Sequence, residues 1–175
     1  GRFRGLRWSV RGGGNSGIAT AGGLGRRTVE NLASRTAVVN RLAALMASNH
    51  PSSLAERTGG EGGKIRSKVL AAAWEEGDPL PVAVLEESAR HVGTAVANAV
   101  TLLSLSCVVI GGGMPDALGE SWVERIARQF ERDVFPAELR NCAILPSELG
   151  DDAGIVGAAL LLRQEDRKLI QAGKK

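Results

Sequence analysis

The sequence predicts a helix-rich α/β fold with a small, partly parallel sheet. Two short continuous apolar runs, at residues 107–110 and 142–145, are typical of buried strands. Helical patterns precede the first run, separate the two runs and follow the second. Because a helix between two strands favours a parallel pair, this order indicates an α/β layer. Two strands are few for a complete sheet, so we expect part of a larger α/β protein.

The first helix is predicted over residues 28–48. Thr28 suits the N-cap, and Glu30 places a negative charge in the first turn, where the helix dipole favours it. Residues spaced three or four apart then define one helix face: Val29, Leu32, Thr36, Val39, Ala43 and Met46. A glycine-rich link over residues 58–63 and a short helix over residues 64–76 are predicted to follow.

The longest helix is predicted to begin at Asp78 and Pro79. Asp78 suits the N-cap, and Pro79 suits the first helical position because no N–H is needed there. The expected core face consists of Val82, Leu85, Ala89, Val92, Val96, Ala99 and Leu103. After the first strand, a helix around residues 118–133 is expected to bury Leu118, Trp122, Ile126 and Phe130. A final helix is predicted to be capped by Asp151 and Asp152.

Length and composition exclude several classes of protein. The chain has 175 residues and a mass of 18.3 kDa, with 43% hydrophobic and 23% charged residues, as in ordinary globular domains. No apolar run approaches the roughly 20 residues of a membrane span, and no signal peptide is visible, so we expect a cytoplasmic protein without a membrane partner. Two cysteines cannot form a disulfide framework. The chain starts at Gly1, so we expect a longer gene product.

The net charge of +3 conceals an uneven distribution. Residues 1–27 contain six arginines, nine glycines and no acidic residue, whereas the rest of the chain contains 16 basic and 19 acidic residues. Without a periodic apolar face, residues 1–27 are predicted to be irregular and mobile. An Arg/Gly segment could bind nucleic acid through phosphates. This composition is more typical of a solvated tail, and we expect no nucleic-acid partner.

Three glycines follow the first predicted strand. Gly111, Gly112 and Gly113 would let a ligand approach the backbone at the carboxyl edge of the sheet, where α/β proteins bind ligands. The segment is neither a P-loop nor a full Gly-x-Gly-x-x-Gly motif. A tight turn between strand and helix is the structural alternative.

The remaining candidate residues favour structural roles. Gly154, Gly157 and Ala158 lie along one side of the last predicted helix and suggest close packing on a neighbour or a ligand. His50 and His91 have no metal-ligand partners at suitable spacing. Cys107 and Cys142 lie in the predicted strands, so we expect them to be inert core thiols.

Three segments, taken in order and spacing, resemble the ROK family of bacterial sugar kinases and sugar-responsive repressors. They are residues 28–37, residues 108–113 and residues 149–159. The resemblance covers residues 28–163 and leaves residues 164–175 as a charged tail. It implies the C-terminal lobe of an actin-like (ribonuclease H-like, hexokinase-type) ATPase fold.

The resemblance also implies site residues. It assigns Glu30 to sugar binding and Gly111, Gly112 and Gly113 to the turn that approaches the adenosine of ATP. ATP and Mg²⁺ are therefore the implied cofactors, and a hexose, an adenine nucleotide and a second copy of the chain are the implied partners. The family's zinc cysteines correspond to Ala21, Gly23 and Thr28, so no zinc is expected.

The phosphate loop and the catalytic aspartate of the family have no counterpart in this sequence, and no catalytic residue is assigned. The resemblance therefore implies the C-terminal portion of an ATP-dependent sugar kinase that is inactive on its own. Two alternatives remain open. One is the sugar-sensing domain of a repressor, and the other is a non-catalytic domain for ligand binding or oligomerisation.

Overall fold

The computed structural model describes residues 28–59 and 65–172. The Arg/Gly-rich segment 1–27, predicted to be irregular and mobile, lies outside the described residues. So does most of the glycine-rich link.

The first predicted helix is two helices, α1 (Val29–Ala33) and α2 (Arg35–Ala47). Thr28 caps α1, with its hydroxyl accepting from the Asn31 N–H at 3.3 Å. Ser34 has extended backbone geometry and caps α2, with its hydroxyl accepting from the Ala37 N–H at 3.2 Å. The prediction of one continuous helix was wrong. The break also rotates the buried face of α2, which contains Val38 and Leu42 rather than Thr36.

Two short helices precede the long one. The first, α3 (Ser53–Thr58), was not predicted; Ser52 caps it by accepting from the Leu54 N–H at 3.2 Å. The second, α4 (Ser67–Glu75), lies inside the predicted range of 64–76.

The long helix α5 (Pro79–Leu103) begins where the sequence indicated, with the Asp78 carboxylate accepting from the Leu80 N–H at 3.1 Å. Its buried positions are Leu80, Pro81, Val84, Leu85, Ser88, Ala89, Gly93, Val96, Ala97 and Val100. Leu103, predicted to lie in the core, is 67% exposed. In the last turn of α5, Leu102 is exposed as well, so no described helix covers this side of the turn.

The sheet described here has two strands, β1 (Cys107–Ile110) and β2 (Ala143–Pro146), which pair in parallel with Val108 opposite Ile144. The parallel pair confirms the predicted layer. The prediction of buried strands was wrong, because exposed and half-buried residues alternate along each strand and Val109 is 59% exposed. One face of the sheet packs on helices, and no described residue covers the other.

Two helices lie between the strands. Gly119, with φ +69°, separates α6 (Gly113–Leu118) from α7 (Glu120–Asp133). Leu118, Trp122, Ile126 and Phe130 are all buried, as predicted. A 3₁₀ helix (Ala137–Asn141) then leads into β2.

The chain continues through a 3₁₀ turn (Gly150–Asp152) into α8 (Ala153–Ala172). The expected domain boundary at residue 163 falls inside this helix. A Cβ atom added at Gly154 or Gly157 would meet nothing within 4 Å, so no described residue packs closely against them.

The close crossing of α5 and α7 organises the core. A Cβ atom at Gly93 would lie only 2.6 Å from both Gln129 Cβ and the Ile126 carbonyl oxygen, so the absence of a side chain lets the two helices touch. Trp122 fixes the crossing further by donating its indole N–H to the Leu85 carbonyl at 3.1 Å. Within the described ranges, no helix has both the length and the apolar character that crossing a bilayer requires.

Candidate functional site

A cavity of about 320 Å³ lies between the start of α1 and α2 on one side and the turn after β1 on the other. Its lining includes Glu30 together with Gly111, Gly112 and Gly113. Gly111 lies 81 positions after Glu30 in sequence, and the fold brings Glu30 and the three glycines to one concave surface.

The α1 side of the cavity is held in place by the long helix. Ala33 is buried, and its carbonyl oxygen accepts a hydrogen bond from the Ser88 hydroxyl of α5 at 3.3 Å. Glu30 lies one turn earlier, with its side chain at the surface, and its carbonyl oxygen accepts from the Ser34 N–H at 3.1 Å. The carboxylate of Glu30 is therefore presented from a fixed backbone and remains accessible to a ligand.

Two of the three glycines of the turn are required by the structure, each for a different reason. A Cβ atom at Gly111 would lie 3.2 Å from Ser147 Cβ, so this glycine allows the turn to pack beside the end of β2. Gly112 has φ +106°, a conformation that side-chain-bearing residues rarely adopt. Neither reason applies to Gly113, where an added Cβ atom would meet nothing within 4 Å and no positive φ is required.

Apolar side chains complete the cavity. Val92, Ile110, Met114 and Trp122 are part of its lining. Val92 lies on α5 and Trp122 on α7, the two helices that touch at Gly93. The site thus combines an apolar wall, an open stretch of backbone and two charged groups, Glu30 and Arg35.

Arg35 is a cavity residue that the sequence did not reveal. Its Nε donates to the Ser67 hydroxyl at 3.0 Å and one terminal nitrogen donates to the Ile65 carbonyl at 3.1 Å. These contacts orient the guanidinium and leave further N–H groups, since the group carries five. No motif or spacing in the sequence marked Arg35, which is the first residue of α2 after the helix break at Ser34.

The two histidines lie outside the cavity. The His91 ring is 3.8 Å from the Glu87 carboxylate, and burial lowers the pKa of His91 even though Glu87 opposes the shift. The Nδ1 atom of His50 lies within hydrogen-bond distance of the Leu45 carbonyl oxygen, at 3.0 Å.

In residues 28–59 and 65–172, no three His, Cys, Asp or Glu side chains form a group that could hold a metal ion. The expectation of no zinc stays a prediction, because Ala21 and Gly23 lie outside these ranges. Thr28, at the third cysteine position, serves as the N-cap of α1.

The two cysteines differ in their exposure to solvent. Cys142 is buried, and burial raises the pKa of its thiol. Cys107 is exposed, so its prediction as a core thiol was wrong. It begins a strand that packs on only one face.

The chain is similar in sequence to known proteins. The sequence model of the ROK family matches residues 21–165. A glucokinase of Halalkalibacterium halodurans is 27% identical over 141 residues, which are 81% of this chain and 42% of that protein. The chain therefore spans less than half the length of this curated relative.

Solved structures match the fold as well. The ROK family glucokinase of Streptomyces griseus, in complex with glucose and AMPPNP, matches with a TM-score of 0.67 at 33% identity, over 78% of this chain and 44% of that chain. A ROK family transcriptional regulator, a homologue of the Escherichia coli Mlc protein, matches with a TM-score of 0.59 at 24% identity, over 67% of this chain and 28% of that chain. This second likeness is one of fold.

The family match covers most of the chain, and the fold of the Streptomyces griseus glucokinase matches 78% of it. The protein therefore belongs to the ROK family and has the fold of the C-terminal lobe of an actin-like ATPase.

Proposed function

We propose that the chain is the C-terminal portion of a ROK-type, ATP-dependent sugar kinase that transfers a phosphoryl group to a hexose hydroxyl. The observation that carries this proposal is the single cavity that Glu30 shares with the turn at Gly111–113. The glucokinases among the relatives support the choice of a sugar as the phosphoryl acceptor.

In this proposal, the two sides of the cavity have separate roles. The Glu30 carboxylate accepts hydrogen bonds from sugar hydroxyl groups. The backbone at Gly112 and Gly113 lies against the adenosine of the nucleotide, and the apolar wall excludes water there. When bound, ATP would supply the phosphoryl group, and Mg²⁺ would offset the negative charge of the phosphate oxygens.

The residues present fit one wall of a nucleotide site. The space next to Gly113 admits a ligand, because nothing lies within 4 Å of the position a Cβ atom would take. The described residues do not surround a nucleotide, and no catalytic base is assigned. We therefore expect weak ATP binding and negligible sugar phosphorylation by the chain alone, since proximity and charge stabilisation both need the opposite wall.

A glycine substitution tests the nucleotide wall. We expect Gly113→Val to weaken ATP binding in calorimetric titration, because the branched side chain fills the space beside the turn. Gly113 is a cleaner choice than Gly112, where any side chain strains the backbone. Gly154→Val is the matched control, since its Cβ atom also enters open space but lies outside the cavity. Equal ATP affinity in the two variants would remove the turn from the site.

A second substitution tests the sugar wall. Glu30→Gln is expected to reduce glucose binding while leaving ATP binding unchanged. Glu75→Gln, at an exposed position outside the cavity, is the charge-matched control. Rapid ATP-dependent phosphorylation of glucose by these 175 residues would contradict the expectation that the chain is inactive alone.

The sugar-sensing domain of a repressor is the second candidate, and the likeness to the ROK transcriptional regulator favours it. The coding sequence upstream of Gly1 separates the two. A phosphate loop with a catalytic aspartate there would identify a kinase, and a helix-turn-helix would identify a repressor.

A further inference from the structure

A second, smaller concavity of about 150 Å³ lies between α5 and α7. Its lining consists of Glu86, Arg90, Arg125, Arg128, Gln129 and Arg132. None of these residues lines the first cavity. On α5, Arg90 and Val92 are about 200° apart around the helix axis, so the two concavities open on different sides of that helix. We refer to the second one as the arginine groove.

Sequence spacing and helix packing together create the arginine groove. Arg125, Arg128 and Arg132 are three and four residues apart, so they share one face of α7. Glu86 and Arg90, four residues apart, share one face of α5. The close crossing at Gly93 brings these faces together, with Gln129 at the contact itself.

The arginine groove has an excess of positive charge. Its lining contains four arginines and one carboxylate, Glu86, which is paired with Arg125. Arg125 also lies over the Trp74 ring, 5.5 Å from its centroid. This excess stands in a part of the chain, residues 28–175, where acidic residues outnumber basic ones by 19 to 16.

The other three arginines make no ion pair with any carboxylate of the described residues. Arg128 contacts only the Glu124 carbonyl of its own helix, at 3.4 Å. One oxygen of the nearby Asp133 carboxylate, Oδ2, accepts from the Thr94 hydroxyl and the Gln129 amide at 2.6 and 2.9 Å, and no arginine of the groove lies in an ion pair with this carboxylate. Arg90, Arg128 and Arg132 are therefore available to an anion.

We propose that the arginine groove binds a phosphate group, either free inorganic phosphate or the phosphate of a small monoester. Guanidinium groups match the geometry of phosphate oxygens and bind them through paired hydrogen bonds. The three unpaired arginines carry three positive charges. They therefore suit a phosphate dianion better than a ligand that carries one carboxylate with a single negative charge. The groove has a volume of about 150 Å³. This is several times the roughly 30 Å³ that one water molecule takes up in the liquid, so the groove has room for one phosphate group.

The experiment is a calorimetric titration of the full chain with inorganic phosphate, at constant ionic strength set with NaCl. The wild type is expected to bind saturably. Arg90→Gln combined with Arg128→Gln should weaken binding at least tenfold. These two side chains are exposed and make no ion pair, so their loss leaves the Arg125–Glu86 pair intact.

A matched control separates the groove from general electrostatics. Lys68→Gln combined with Arg163→Gln removes the same charge at exposed positions outside the groove and should leave phosphate binding unchanged. Titration with glucose 6-phosphate distinguishes the two sources. Tighter binding than inorganic phosphate that is lost in the Arg90→Gln and Arg128→Gln double variant supports a phosphorylated metabolite in the groove, and weaker binding supports the free ion.

Three results would overturn the proposal. They are no saturable phosphate binding by the wild type, equal losses in the two double variants, and binding of an oligonucleotide alone with no response to phosphate. The proposal does not depend on the kinase assignment.

Discussion

Ser53 donates both its backbone N–H and its side-chain hydroxyl to the same oxygen of Asp78, each at 2.7 Å. The Ser52 hydroxyl reaches that oxygen as well, at 2.8 Å, and the second carboxylate oxygen accepts from the Leu80 N–H. One buried carboxylate thereby joins the start of α3 to the start of α5.

This relationship makes stability depend on pH. Burial by itself raises the pKa of Asp78, but the hydrogen bonds from Ser53, Ser52 and Leu80 outweigh it and hold the pKa below the ordinary value of 3.8. The carboxylate therefore contributes stability that is fully present above pH 3.8 and is lost as the pH falls through the lower folded value.

We expect Asp78→Asn to lower the free energy of unfolding at pH 7 by about 1–3 kcal/mol, because the charged acceptor is lost. Urea unfolding at several pH values measures this. The exposed Asp116→Asn is the control and should change little. An Asp78→Asn variant that loses stability in acid as steeply as the wild type would contradict the assignment.

Glycine substitutions test the helix crossing. Gly93→Ala is expected to reduce the free energy of unfolding by about 1–3 kcal/mol, because the new Cβ atom meets the Ile126 carbonyl and α5 must move from α7. Gly154→Ala, in an exposed helix with open space, should stabilise by about 0.5–1 kcal/mol. Chemical denaturation compares the two, and a Gly93→Ala variant as stable as Gly154→Ala would show that the crossing relaxes freely.

Arg35 offers a test that separates phosphate contacts from adenosine contacts. We expect Arg35, the cation of the cavity, to contact the phosphate groups of a bound nucleotide. Arg35→Met should then weaken ATP binding by about tenfold, as expected for the loss of one charge-assisted hydrogen bond, and leave adenosine binding unchanged. Arg163→Met, outside the cavity, is the control. Equal losses for ATP and adenosine would instead indicate that Arg35 maintains the cavity through its bonds to Ser67 and Ile65.

The exposed apolar surface predicts self-association. Ten large apolar side chains of the described residues are exposed: Leu102, Leu103, Val109, Phe135, Leu145, Leu149, Ile155, Leu160, Leu161 and Leu162. Surfaces of this kind favour association. Light scattering at micromolar concentration should give a mass above 18.3 kDa.

A pair of substitutions on α8 locates that association. Ile155→Glu combined with Leu162→Glu should shift the mass towards the monomer. Asn40→Glu combined with Gln164→Glu adds the same charge at exposed polar positions and should not. A clean wild-type monomer would count against the prediction.

Local chemistry made α5 and the glycine turn predictable. Asp78 and Pro79 specify a helix start through their own backbone preferences, and the turn after β1 needs a glycine at Gly112 because of its local φ of +106°. The four residues assigned to the site by resemblance also line one cavity. Their roles in binding stay a prediction.

Distant contacts explain what the sequence did not reveal. The break at Ser34 interrupts a helical pattern that is continuous in sequence, and it is accompanied by the docking of Ala33 on Ser88 of α5. The burial of β1 was misjudged for a similar reason. A run of four apolar residues indicates a strand, but it does not tell how many of its faces are covered.

The contrast between the two thiols has a practical consequence for site-specific labelling. Cys107 is exposed, whereas Cys142 is buried with a raised thiol pKa, so a maleimide fluorophore near neutral pH should attach to a single position of the native chain. That position is four residues before Gly111, at the start of the strand that leads into the turn. A dye there would report, through its emission, on any polypeptide that covers the open face of the sheet.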